Sequence, residues 1–168
     1  MYQPEVDQLK HLLDYDPGTG VFHWKVASGK AAKGGVAGHK DPMGYIIIRS
    51  RGRAYKAHRL AWLFVKGTWP KEQIDHANGV REDNRIENLR ECSGLENQQN
   101  RKRSRNNTSG YMGVSFRKKE GIFCASIRHT GKNLHLGTYK TAEAASEAYK
   151  AAKRVLHAFQ PVIREGAE

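Results

Sequence analysis

Carboxylates are scarce in this 168-residue chain. Lys and Arg number 29 against 17 Asp and Glu, a formal net charge of +12, and residues 97–119 contain no acid at all. A surface of that sign excludes a taste for cationic partners and favours polyanions. Cysteine is nearly absent as well. Cys92 and Cys124 cannot form a zinc cluster and are too few for a disulfide framework, so both are expected as buried free thiols. There is no long apolar run either: residues 60–65, the longest, fall far below the roughly 20 a membrane span needs. The opening MYQPEVDQLK lacks the apolar region of a signal peptide. These absences predict an intracellular protein with no membrane association. Hydrophobic residues make up 38%, which excludes one large core and leaves room for several modest ones, in one domain or two small ones.

The charge is unevenly spread. Residues 1–70 hold 11 basic and 5 acidic side chains, residues 71–100 hold 4 and 7, and residues 101–168 hold 14 and 5. An acidic island between two basic flanks serves no purpose in a chain that merely coats a polyanion, but it suits a site that must hold a cation against a phosphate. Arg101, Lys102, Arg103, Arg105, Arg117, Lys118 and Lys119 crowd the acid-free stretch, where counterion release rewards each phosphate contact.

Residues 5–14 place Val6, Leu9, Leu12 and Leu13 at helical spacing, and the DPGTG at 16–20 ends that helix. Residues 21–25 read as a strand, and the Gly/Ala/Lys-rich stretch 27–42 as a mobile loop facing phosphate. A hairpin spans residues 45–57 around Arg51-Gly52-Arg53, and residues 58–66 (HRLAWLFVK) form a helix apolar almost all round. Residues 73–77 and 88–92 read as two strands of a hairpin that turns at Asn78-Gly79, and Ser93 caps a helix from 94 through LENQQNRKRSR. NNTS at 106–109 has linker composition. Three strands follow (111–117, 122–128, 133–139), then a helix capped by Thr141, with the stripe Ala145, Ala148, Ala152, Val155 and Phe159 as its packing face.

The segment IDHANGVREDNRIENLRECSGLENQQN carries the chemistry. Hydrolysing a phosphodiester needs a base to deprotonate water and a cation to stabilise the leaving oxygen. A neutral histidine supplies the base and a neighbouring carboxylate holds the cation, roles that His76 and Asp75 fit. The ordered matches His58-Arg59-Leu60, Asp75-His76, Asn78-Gly79, Asp83-Asn84-Arg85, Asn88-Leu89 and Ser93 with Asn97 resemble the HNH endonucleases of the ββα-metal type, in the branch found in bacteriophages and mobile introns. The resemblance implies that Asn97 is the second metal ligand, in place of a histidine, and that Asn88 bonds loop backbone and holds the hairpin in register. One carboxylate and one amide oxygen suit a single Mg²⁺ or Mn²⁺ rather than zinc. Because neighbours in a regular strand point to opposite faces, the reading also requires a local bend where the Asn-Gly turn begins. His58, Arg59 and Arg85 lie in the same pattern, the arginines positioned either to approach phosphate or to brace the fold. His11, His23, His39, His129, His135 and His157 have no ligand-spaced partners and read as surface or packing residues.

Residues 110–159 are similar to the plant ethylene-response-factor type of DNA-binding domain. The matching words are Tyr111, Gly113-Val114, Arg117, Phe123, Ala125, Ile127-Arg128, Leu136-Gly137-Thr138-Tyr139 and Thr141 through Tyr149. The resemblance implies a three-stranded sheet that enters the major groove, with Arg117 and Arg128 retained for base or phosphate contact. Met112, Ser115 and His135 depart from the plant pattern, so its target sequence does not transfer. Strand alternation independently puts Ser115 with Arg117, and Ser126 with Arg128, on a polar face opposite Val114 and Phe116.

The expected architecture is α+β: an N-terminal basic region (1–43), a ββα-metal core (44–105), a linker (106–109), a sheet-plus-helix DNA reader (110–160) and a tail (161–168). The expected activity is site-directed, metal-dependent cleavage of double-stranded DNA by His76, Asp75 and Asn97. Arg59, Arg85, Arg101, Arg103, Arg105, Arg117 and Arg128 would contact DNA, with no small-molecule cofactor. A monomer with one such site nicks; a double-strand break needs a dimer or two events. The resemblance implies a phage or mobile-element origin, a homing role and the host cytoplasm. The alternatives are a non-enzymatic DNA-binding regulator built on a degenerate nuclease scaffold, and an RNA-binding protein using the same basic surface.

Overall fold

The computed structural model describes residues 3–29, 31–100 and 106–160. In chain order the elements are α1 (Gln3–Leu12), β1 (Leu13–Asp16), β2 (Val21–Trp24), β3 (His39–Lys40), β4 (Ile46–Ser50), β5 (Arg53–Lys56), α2 (Ala57–Lys66), β6 (Gln73–His76), a 3₁₀ turn (Ile86–Asn88), β7 (Leu89–Cys92), α3 (Gly94–Gln99), β8 (Val114–Arg117), β9 (Ile122–His129), β10 (Lys132–Tyr139) and α4 (Ala142–Leu156). This is the expected α+β class, with every sheet small and antiparallel. The chain forms two compact units, Met1–Cys92 and Ser93–Glu168.

In the first unit the N-terminal helix stops two residues earlier than its apolar spacing predicts. Leu13–Asp16 leaves the helix to pair with Val21–Trp24, because the turn between them is strongly specified. Asp16 accepts from Gly18 N–H at 2.9 Å and from the Thr19 hydroxyl at 2.8 Å, and its carbonyl accepts from Gly20 N–H at 2.8 Å. Gly20 has φ of +75°, and a Cβ there would collide with the backbone of Asn84 and Arg85. The hairpin tip thus packs directly on the loop before β7.

The stretch expected to be a mobile loop is tied down. Gly34 N–H donates to Trp24 C=O at 2.7 Å, Ala37 N–H to Phe22 C=O at 2.7 Å, and β3 pairs with β4. Ala37 is buried, so the Gly/Ala composition serves close packing there. The sheet β3-β4-β5 and helix α2 close one core around Phe22, Ile48, Leu60, Leu63, Ile74 and Leu89. α2 buries one face rather than all of its circumference, since Val65 is largely exposed. Asn88 ends the 3₁₀ turn instead of starting the return strand.

The second unit is a β10-β9-β8 sheet backed by α4, with Val114, Ala125 and Ala145 at its centre. Its first strand starts at Val114, three residues later than expected, because Gly113 adopts φ of +73° and breaks the extended run. α4 ends at Leu156, short of Phe159, and packs through Ala142, Ala145, Tyr149 and Lys153. Of the predicted stripe Ala145 and Ala148 lie in this core, but Val155 lies in solvent. In a helix this rich in alanine nearly every direction reads as apolar, so the bulky ring at Tyr149 selects the docking side. Cys92 and Cys124 are buried free thiols, as their scarcity predicts.

Candidate active site

The β6–β7 hairpin places the acidic island. Its ladder is regular through Gln73↔Cys92, Ile74↔Glu91, Asp75↔Arg90 and His76↔Leu89. The required bend therefore comes only after His76, where Gly79 N–H donates to the His76 carbonyl at 2.9 Å. By strand alternation Asp75 and His76 leave β6 on opposite faces, and each has its own company.

Asp75 faces Arg90 across the ladder. The arginine Nε and Nη2 both donate to Asp75 Oδ2, at 3.0 and 2.8 Å, and the carboxylate is nine-tenths buried. Cross-strand register alone produces this pair, so it was invisible until the turn length was known.

His76, itself buried, sits in an aromatic cluster. The His58 ring lies 5.1 Å away and nearly perpendicular, and the Tyr45 ring lies 6.0 Å from His76 and 5.3 Å from His58. His76 Nε2 is 3.3 Å from Asn84 Oδ1. The orientation of that amide is set by its Nδ2, which donates to Glu82 C=O at 3.1 Å, and the Asn84 carbonyl accepts from the Tyr15 hydroxyl at 2.8 Å. A hydrogen on Nε2 would satisfy the Asn84 Oδ1 acceptor and leave Nδ1 as the basic nitrogen. His58 is buried, and among the described residues its Nδ1 has no hydrogen-bond partner. Burial, and then the neighbouring His76, Lys56 and Arg59, push its pKa down to about 3, so it stays neutral.

The loop between the strands is held by side chains. Asn88 Oδ1 accepts from Asn78 N–H at 2.9 Å and its Nδ2 donates to Asp83 C=O at 2.8 Å, while Asn78 Nδ2 donates to Asp83 Oδ2 at 2.7 Å. Arg85 clasps the same carboxylate through Nε and Nη2 and also meets Glu87. These bonds, Arg85 foremost, hold the Asp83 carboxyl at about 2. Arg59 donates to Glu72 C=O and Pro70 C=O, both at 3.1 Å, and so braces the turn after α2. A DNA contact by Arg59 or Arg85 would have to share these partners.

α3, which carries Asn97, opens the second unit. Ser93 Oγ accepts from Glu96 N–H, and Glu96 Oε2 accepts from Ser93 N–H at 2.8 Å, a complete capping box. Arg117 and Arg128 are exposed on the sheet, Arg117 with Glu120 at 3.3 Å. Arg101, Arg103 and Arg105 lie outside the described residues. No group of three or more His, Cys, Asp or Glu side chains comes together among the described residues, and no helix there is long and apolar enough to cross a membrane. The residues that sequence reasoning missed are Tyr45, Asn84 and Arg90. Asn84 alone had a signal, its place inside Asp83-Asn84-Arg85.

Residues 55–99 match the HNH endonuclease family, a stretch that runs from β5 through α3 and includes His58, Asp75, His76, Asn88 and Asn97. The chain is also 29% identical over 106 residues to Protein 3.8 of Escherichia phage T7, an alignment that covers 62% of this chain and 87% of that protein. No solved structure matches.

Proposed function

We propose that this chain is a metal-dependent, site-directed endonuclease that cuts double-stranded DNA. The observation that carries the reading is the buried imidazole of His76, inside the segment matching HNH endonucleases, with its Nε2 3.3 Å from Asn84 Oδ1 and a neutral His58 beside it. Nδ1 of His76 takes a proton from water, the resulting hydroxide attacks phosphorus, and the bond to the 3′ oxygen breaks. The base is buried beside the rings of His58 and Tyr45.

Asp75, and Asn97 by its place in the sequence, would hold one divalent cation of the Mg²⁺ or Mn²⁺ kind. The donors fit such an ion, since a carboxylate and an amide oxygen are hard ligands. When bound, the ion supplies charge to stabilise the departing oxygen. Arg90 on the same carboxylate leaves the Asp75 pair near neutral, so the ion binds weakly until a DNA phosphate joins it.

Residues 44–105 form the cutting core in this reading and residues 110–160 the reader. The exposed Arg117 and Arg128, and Arg101, Arg103 and Arg105 in the acid-free stretch, serve the DNA backbone and bases. A single site nicks one strand as a monomer. The phage relative supports a phage source; a homing role and work inside the host cell belong to the same reading.

Supercoiled plasmid incubated with the protein and Mg²⁺ or Mn²⁺, with and without EDTA, tests the proposal. Wild type should convert it to the open circle only with metal, and His76→Ala should bind without cutting. If neither cuts while both still shift the plasmid on a gel, the chain is a DNA-binding regulator on a nuclease scaffold.

A further inference from the structure

Beside His76 the first unit holds an arrangement that the proposed reaction does not use. The half-buried ring of Tyr45 carries two cations, with Lys56 Nζ 4.7 Å and Arg81 Cζ 4.9 Å from its centroid. They come from separate parts of the chain. Lys56 ends β5 and immediately precedes the helix that bears His58. Arg81 lies in the loop after Asn78-Gly79 and is anchored by Nη1, which donates to Met43 C=O at 2.7 Å.

Both cations are exposed, and among the described residues neither makes an ion pair. The adjacent acids are already engaged, Glu82 with Lys40 at 2.7 Å and Asp83 with Arg85 at 2.7 Å. Sharing one ring centroid places the two charges within about 10 Å of each other, which is no more than a Debye length at moderate salt. A ring face attracts a cation only weakly at an exposed site, and the ring itself carries no charge. Two unneutralised cations held on one ring beside an imidazole pair make a local positive potential that suits a phosphate of a passing strand.

We propose that Tyr45, Lys56 and Arg81 form the seat for a backbone phosphate of the DNA strand presented to His76. Lys56 and Arg81 supply the charge, and the Tyr45 ring positions both. The seat rests on the endonuclease reading for the identity of its strand, yet its phosphate contact is measurable without cutting.

The test is the affinity of the full chain for a short mixed-sequence DNA duplex, followed by fluorescence anisotropy in EDTA over a range of salt. Lys56→Gln/Arg81→Gln should lower the slope of log K against log salt by about 1, the value for one lost phosphate contact. Tyr45→Phe should keep the wild-type slope and Tyr45→Leu should reproduce part of the loss. Trp24, Trp62 and Trp69 all lie in the first unit, so an unchanged emission spectrum and urea midpoint certify that the variants are folded. A double variant, so certified, with wild-type slope and affinity overturns the seat, and so does a loss seen with duplex RNA but not with DNA. A wild-type protein that never nicks plasmid sinks the endonuclease reading instead, and does not alter what the slopes report.

Discussion

Arg90 places two nitrogens on one oxygen of Asp75, Nε at 3.0 Å and Nη2 at 2.8 Å from Oδ2, across adjacent strands of the β6–β7 hairpin. The carboxylate is nine-tenths buried, so its solvation comes from protein rather than water. Removing one member of such a pair costs far more than the pair itself contributes, because a buried charge loses its counter-charge. Arg90→Met should therefore destabilise the first unit by about 2 kcal/mol, read as a lower urea midpoint of tryptophan fluorescence. Asp75→Asn/Arg90→Met should recover most of that loss. If Asp75 is a metal ligand, Mn²⁺ should raise the midpoint of Arg90→Met more than that of wild type. Equal midpoints for wild type and Arg90→Met would show that the pair is not what satisfies Asp75.

The histidine cluster makes stability depend on pH. In the unfolded chain His58 protonates near its ordinary value of about 6.5, whereas in the folded unit it resists protonation down to about 3. Between those values the unfolded state binds more protons, so stability is intact above about 6.5 and falls as the pH drops. The slope from this one group is at most about 1.4 kcal/mol per pH unit. His58→Phe removes both the titration and the unpartnered Nδ1, and it should flatten the dependence of the tryptophan-reported midpoint between neutral pH and pH 5. Identical profiles for the two proteins would mean that His58 is protonated in the fold.

Much of this was legible in the sequence. The Asn78-Gly79 turn, the capping box at Ser93 and the alternation in β9 are local signals, and local signals survive without knowledge of the fold. Leu12 and Leu13 show where such signals fail. Both continue a helical period and both could begin an alternating one, and only the distant strand Val21–Trp24 decides between them. Arg90 and Asn84 were missed for a related reason. A charged residue in a short strand looks solvated until its cross-strand partner is known, and Asn84 meets His76 only through the path of an eight-residue separation in the loop. The convergence of Lys56 and Arg81 on Tyr45 likewise depends on three segments meeting, which no spacing rule contains.

Gly113 should be the least replaceable glycine of the second unit. Its φ of +73° already disfavours a side chain, and a Cβ would overlap the buried Tyr149 ring that docks α4 on the sheet. Backbone strain and overpacking add, each about 1–3 kcal/mol. Gly113→Ala should unseat α4 from β8 and weaken DNA binding, while the urea midpoint reported by the tryptophans of the first unit stays in place. Faster amide exchange along β8 and α4 would register the change directly. A Gly113→Ala protein with wild-type exchange there would show that the Tyr149 ring can move aside.

Lys153 joins α4 to α3. It is almost wholly buried, and its ammonium donates to the Gln99 carbonyl at 2.8 Å. Gln99 is the last residue of α3, where carbonyls have no partner within the helix, so a buried cation there satisfies an acceptor that the short helix cannot satisfy itself. Lys153→Met keeps the stem volume and withdraws the donor, for a loss of about 1–2 kcal/mol in the second unit. The local consequence should exceed the global one. Amide exchange at Asn97 and Asn100, whose N–H groups donate to Ser93 and Asn97 carbonyls, should quicken first as the last turn frays. Because Asn97 is the proposed second ligand, cutting should fall several-fold more than DNA binding in the same variant. Unchanged exchange at those two amides, with cutting preserved, would show that α3 holds its last turn without the lysine.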